Sequence, residues 1–134
     1  MIDLSKKKVG EIIPILYWVK DWHINCDGAV TSSEPSIEVR KYTNCKLTDY
    51  DVVKGGSTNY TLKGADENGK ECLIWYSNKS YSSGDEKVEW LFEDKNEAYI
   101  EYIRYVEIWR KHLINNIKLK LTKDLEEVKK KYGF

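Results

Sequence analysis

Five residues have side chains suited to ligating a metal or to nucleophilic chemistry: His23, Cys26, Cys45, Cys72 and His112. His23 and Cys26 stand at an H-x-x-C spacing, which would supply half of a zinc site. Structural zinc is normally held by two such close pairs, and the other three residues are scattered. An odd number of cysteines without tight spacing is a poor disulfide framework. Reduced thiols suit a reducing cytosol, and the simplest role for them is as small buried hydrophobes. Cys72, by alternation, shares a strand face with Ile74 and Tyr76. A Cys26–His23 nucleophile pair has no supporting motif around it.

The other chemistries are no better supported. There is no G-x-S-x-G, H-E-x-x-H or G-x-G-x-x-G. Lys54-Gly55-Gly56-Ser57-Thr58 has the small residues of a phosphate loop but not their order. Carboxylate pairs such as Asp49 with Asp51 and Asp85 with Glu86 are expected by chance where 33% of residues are charged. The sequence therefore assigns no catalytic residue, no metal and no cofactor, and it reads as a non-catalytic protein.

The remaining candidates are surfaces. Tyr99, Tyr102, Ile103, Val106, Trp109, Leu113 and Ile117 recur at three- and four-residue steps, and the series continues through Leu121, Leu125, Val128 and Tyr132. This is the signature of an amphipathic helix. Residues 104–132 hold nine Lys or Arg against four Asp or Glu, and residues 85–101 hold two against seven. Such a split can steer a partner or align two copies. Basic residues near a helix C-terminus also simply complement the macrodipole. The chain as a whole is balanced, with 22 basic and 22 acidic residues, which argues against non-specific nucleic-acid binding. The rival reading is nonetheless a nucleic-acid or nucleotide binder, combining these lysines with strand aromatics such as Trp75 and Tyr76.

The elements that must carry these residues come next. With 134 residues, one domain is expected, divided into a strand-rich body at 1–93 and a helical part at 94–132. Residues 1–10 read as polar, and as either poorly ordered or a short lead-in. Strands are expected at 12–22, 36–43, 58–63, 71–77 and 87–92, from β-branched and aromatic runs and from alternation. Cys26-Asp27-Gly28 reads as a turn, residues 49–57 as a loop around Gly55-Gly56, and residues 77–85 as a Ser-rich polar loop. Asn68-Gly69 can supply the positive φ angles of a hairpin. The triplets Asn59-Tyr60-Thr61 and Asn78-Lys79-Ser80 mark only loops or strand ends. Lys6-Lys7-Lys8 precedes an apolar stretch that is too short to span a bilayer and contains Pro14. A cytoplasmic chain without a membrane span is expected.

Asp94 with Glu97 three residues on has capping-box spacing, so a helix should start there. No Pro or Gly follows until Gly133. One continuous helix would be roughly 55 Å long, whereas a body of this size is about 25–30 Å across. Either the distal half overhangs and needs a partner, or the helix breaks near Asn115-Asn116 or Thr122 and folds back on the sheet. Strands first and helix last favour α+β, with an antiparallel sheet or small open barrel of about five strands.

The run Val88-Glu89-Trp90-Leu91-Phe92-Glu93-Asp94-Lys95-Asn96-Glu97-Ala98-Tyr99 resembles the strand-to-helix junction of small uncharacterised accessory proteins of tailed phages and mobile elements. The resemblance covers about a tenth of the chain and transfers no site residue. It implies a context in which such proteins bind host or defence proteins, or signalling nucleotides, rather than catalyse reactions.

The expected function is thus protein binding through the C-terminal helix, as a phage-type inhibitor or regulator of a host or defence protein. The expected apolar anchors are Trp109, Leu113, Ile117, Leu121, Leu125 and Val128, since aromatic residues make strong anchors. Lys118, Lys120 and Lys129 form the expected rim, and the loop at 77–85 is a second working surface. Self-association through the same helix is a further expectation.

Overall fold

The computed structural model describes residues 1–24, 29–53, 57–77 and 88–133. Five strands, β1 (Ile12–Asp21), β2 (Ile37–Val53), β3 (Ser57–Ala65), β4 (Glu71–Ser77) and β5 (Val88–Phe92), precede one helix, α1 (Lys95–Tyr132). The strands form a single antiparallel sheet in the order β4-β3-β2-β1-β5. The protein is α+β, a half-barrel sheet followed by a long helix.

Sheet curvature comes from β2. Its 17 residues slip register against β3 between Thr43 and Lys46 and again between Leu47 and Asp49. Asn44, at φ 49°, adopts the left-handed conformation that Asn tolerates better than most residues. Bulges of this kind bend and twist a strand. As a result Tyr42 and Cys45, three residues apart, both enter the same core. On β1, Ile13 and Leu16 do likewise on either side of Pro14, which has no N–H for the ladder.

One face of the sheet encloses Leu16, Trp18, Tyr42, Leu47, Leu62 and Leu91. The lead-in closes this core, contrary to the expectation of a poorly ordered segment. Ile2 and Leu4 are buried. The Ile2 N–H donates to the Leu91 carbonyl at 2.8 Å, and the Gly10 N–H to that of Leu47 at 2.7 Å. Two apolar side chains and a pair of backbone bonds suffice to order a stretch that is otherwise polar. Gly64 is required inside this face: a Cβ there would lie 2.7 Å from Cys45 Sγ.

The β3–β4 hairpin turns through Gly69 at φ +79°, whereas Asn68 does not take the positive φ expected of the pair. The segment read as a loop at 49–57 is instead strand as far as Val53, and strand resumes at Ser57. Residues 49–52 are all exposed, so no buried alternation marks them. The turn at Cys26-Asp27-Gly28 and most of the Ser-rich loop at 77–85 lie outside the described residues.

On the opposite face, Val19, Ile24 and Phe92 form a second core with Ala98, Tyr105 and Trp109 of α1. The helix starts where expected. Asp94 accepts the Asn96 N–H at 2.7 Å, while Glu97 accepts from the Met1 amino group at 2.8 Å. Gly133, at φ +69°, donates its N–H to the Lys129 carbonyl and closes the far end.

Candidate functional site

Helix α1 divides at its centre. Its first half lies on the sheet, with Ala98, Tyr105 and Trp109 buried and Tyr102 and Ile108 packed beside them. Burial pushes the Tyr105 hydroxyl well above the ordinary tyrosine range. Trp109 Nε1 donates to Asp21 Oδ2 at 2.8 Å. Asp21, fully buried at the end of β1, also accepts the His23 N–H at 2.7 Å and the Ser36 hydroxyl at 3.3 Å. The helix is therefore fastened to the sheet by a buried carboxylate as well as by apolar packing. His112 stacks edge-on against Trp109, with centroids 5.7 Å apart, and is the last half-buried residue of the helix.

From residue 113 to residue 133 every side chain is exposed. The helix neither kinks at Asn115-Asn116 nor restarts at Thr122. Asn116 Nδ2 lies 3.0 Å from His112 Nε2, and the Thr122 hydroxyl donates to the Lys118 carbonyl at 3.0 Å. Two polar groups that could have broken the helix, those of Asn116 and Thr122, are satisfied within it. About 30 Å of helix therefore projects beyond the body. Leu121 is 63% exposed and Leu125 56%, so of the two alternatives the overhang is the one the structure takes.

Trp109 is a correction to the expected anchors. It is 2% exposed and belongs to the core. The reason is phase. Each residue of a helix advances about 100°, so each four-residue step drifts by about 40°. Four such steps, from Trp109 to Leu125, carry the series about 160° round the axis. A row that looked like one stripe thus starts on the sheet and ends on the far side.

A straighter row was missed. Ile103 and Val106, then Ile114, Ile117 and Leu121, then Leu125, Val128 and Tyr132 repeat at eleven-residue intervals. Eleven residues make just over three whole turns, so this row runs nearly parallel to the axis. The signal was available in the sequence as a period of eleven rather than four. Ile114, Ile117, Leu121, Leu125, Val128 and Tyr132 are all exposed. Leu113, another expected anchor, is exposed at the row's edge. Of the expected rim, Lys118 and Lys129 border the row on one side together with Lys111. Lys120 lies about 100° from its centre. Residues 113–133 carry six lysines against three acidic residues.

The sequence's other candidates do not assemble. Among the described residues no group of three or more His, Cys, Asp or Glu side chains is placed to hold a metal. Cys26 lies outside them. His23 Nδ1 is 3.2 Å from the Glu34 carbonyl. Burial pushes the Cys45 thiol up to about 11, which removes it as a nucleophile at neutral pH. The stacking pair is divided: Trp75 is exposed, whereas Tyr76 lies in the core. Trp75 is on β4, at the other end of the strand order from β5, while α1 packs on β1, β2 and β5. Two open clefts, of about 350 Å³ beside Arg40, Cys72 and Leu73 and about 530 Å³ beside Lys8, Tyr50 and Val52, gather no catalytic set.

Fold and site together define a half-barrel α+β protein that carries a projecting, apolar-striped helix. No protein-family model, curated protein or solved structure matches the chain. Among the described residues no helix is long and apolar enough to cross a membrane.

Proposed function

We propose that the protein is a non-catalytic binding module whose docking element is the distal half of α1. One observation carries this reading: a continuous helix leaves its own core after His112 and exposes Ile114, Ile117, Leu121, Leu125 and Val128 to solvent. A side chain of this size gains about 1.5–3 kcal/mol on full burial, so cover by another molecule would be strongly favourable. The buried Trp109–Asp21 bond fastens the root of the arm to the body and fixes where the row begins. The phage-like strand-to-helix junction supports a regulator or inhibitor acting on a host or defence protein in the cytoplasm.

The test is affinity capture from lysate of the source cell or its host, with and without nuclease. The wild-type chain is compared with a variant carrying Ile117→Asp, Leu121→Asp and Leu125→Asp. Expected is a nuclease-insensitive partner retained by the wild type and lost by the variant, with thermal unfolding of the body unchanged. Equal capture by both proteins would overturn the reading. Loss of all capture after nuclease would transfer the function to nucleic-acid binding.

A further inference from the structure

We infer that the arm's occupant is an acidic amphipathic helix of a different protein, its apolar face on the eleven-residue row and its carboxylates against Lys118 and Lys129. This rests on the docking reading above and adds the chemistry of the partner.

The geometry of the row selects a helix. A helical arm has already used its backbone N–H and C=O groups internally, so a partner cannot join it as an added strand. It must pack side chain against side chain. A row repeating every eleven residues stays on one side of a nearly straight axis. The complementary surface is another nearly straight row of the same length, which a partner helix supplies.

Charge then selects the partner. A second copy is the obvious alternative, but its lysines oppose it. An antiparallel pair brings the same border of each arm together. With Leu121 level with Leu125 of the second copy, Lys118 falls within one residue of that copy's Lys129. A parallel pair stacks the Lys129-Lys130-Lys131 run on the same run of the second copy. Like charges placed across an interface reject a partner, and opposite charges recruit one. A helix bordered by Glu or Asp relieves both conflicts and satisfies the excess of six lysines over three acidic residues in the arm.

The experiment uses the full chain and three labelled synthetic helical peptides. Each carries the same Leu/Ile row at eleven-residue spacing, bordered by Glu, by Lys or by Ser. Fluorescence anisotropy at low and high salt measures binding. The Glu-bordered peptide is expected to bind about tenfold tighter than the Lys-bordered one at low salt, or about 1.4 kcal/mol, with the advantage shrinking in high salt. The double variant Lys118→Glu with Lys129→Glu, its fold checked by circular dichroism, is expected to reverse the preference.

Equal affinity for all three peptides, or a preference that the charge swap leaves in place, would overturn the inference. So would a dimer in sedimentation that Leu121→Asp dissociates, which makes the second copy the occupant. Uptake of the arm by phosphatidylglycerol vesicles without binding of the Glu-bordered peptide would make it a membrane-surface helix instead. If no peptide binds while lysate capture still depends on Ile117, Leu121 and Leu125, the partner chemistry fails and the docking reading stands. If capture is also independent of them, both fail.

Discussion

The two halves of α1 both carry apolar rows and have opposite fates. In the first half Ala98, Tyr105 and Trp109 lie against β1, β2 and β5. In the second, Ile117, Leu121 and Leu125 meet solvent. Nothing breaks the backbone between them. The difference is that the sheet ends and the helix does not. Amphipathic patterning shows that a helix face needs cover, whereas the size of the body decides how much of that face its own chain can supply. The largest test of this contrast is Trp109→Ala. It removes a buried indole and leaves Asp21 without one of its donors, so a loss of about 3–5 kcal/mol is expected in chemical denaturation. A loss below 1 kcal/mol would place Trp109 with the arm rather than the body.

The contrast also has a pH signature confined to the body. Cys45 is buried, and its thiol is pushed from 9.0 up to about 11 by desolvation. The folded state therefore keeps a proton that the unfolded state releases. This contribution is fully present below pH 9.0 and is lost as the pH rises towards about 11, at about 1.4 kcal/mol per pH unit. Buried Tyr105 acts in the same direction at higher pH. Urea midpoints should fall across this window, and Cys45→Ala should flatten the part due to the thiol. A slope that Cys45→Ala leaves unchanged would assign the alkaline loss to other groups. The arm adds no buried titrating group, so truncating its exposed leucines should leave the slope as it is.

Much of the fold could be read in the residues. Asn68-Gly69 marked the hairpin of β3 and β4, Asp94 marked the helix start, β-branched and aromatic residues located β1, and alternation located β5 and the first part of β2. Two readings failed for identifiable reasons. The second half of β2 looked like a loop because residues 49–52 are exposed and Gly55-Gly56 punctuates them. The lead-in looked disordered because Ile2 and Leu4 are its only buried apolar side chains, and their partners on β5 and β2 are distant in sequence. The candidate site was legible in its membership but not in its phase. Leu121, Leu125 and Val128 were identified as exposed anchors, yet counting by fours tied them to Trp109. Whether the helix ran straight or folded back also depended on Asn116 and Thr122 finding partners inside the helix, which the order of residues does not show.

A gentler test of the body's anchoring is Trp109→Phe, which keeps most of the apolar volume and removes the donor to Asp21. Hydrogen bonds to charged groups contribute about 1.5–3 kcal/mol, so a loss within or just below that range is expected from denaturant titration. Trp109→Phe combined with Asp21→Asn should cost less than the sum of the two single changes, because both break one bond. Strict additivity would mean that the 2.8 Å contact contributes little, and that packing alone fastens the helix.

The smallest expected effect is the most diagnostic. Leu121→Ala with Leu125→Ala removes two large side chains, yet the stability of the body should move by no more than about 0.5 kcal/mol. Exposed leucines leave no cavity when shortened, and Ala is at least as good a helix former as Leu. The arm's own helicity is a separate quantity. The arm has no packing partner on the body to protect it, so its amides should exchange with deuterium far faster than those near Tyr105. That gradient should survive the double substitution. A loss above about 1 kcal/mol, or slow exchange along the whole helix in dilute monomer, would mean that the distal residues find cover within their own chain in solution. The row would then have no need of a partner.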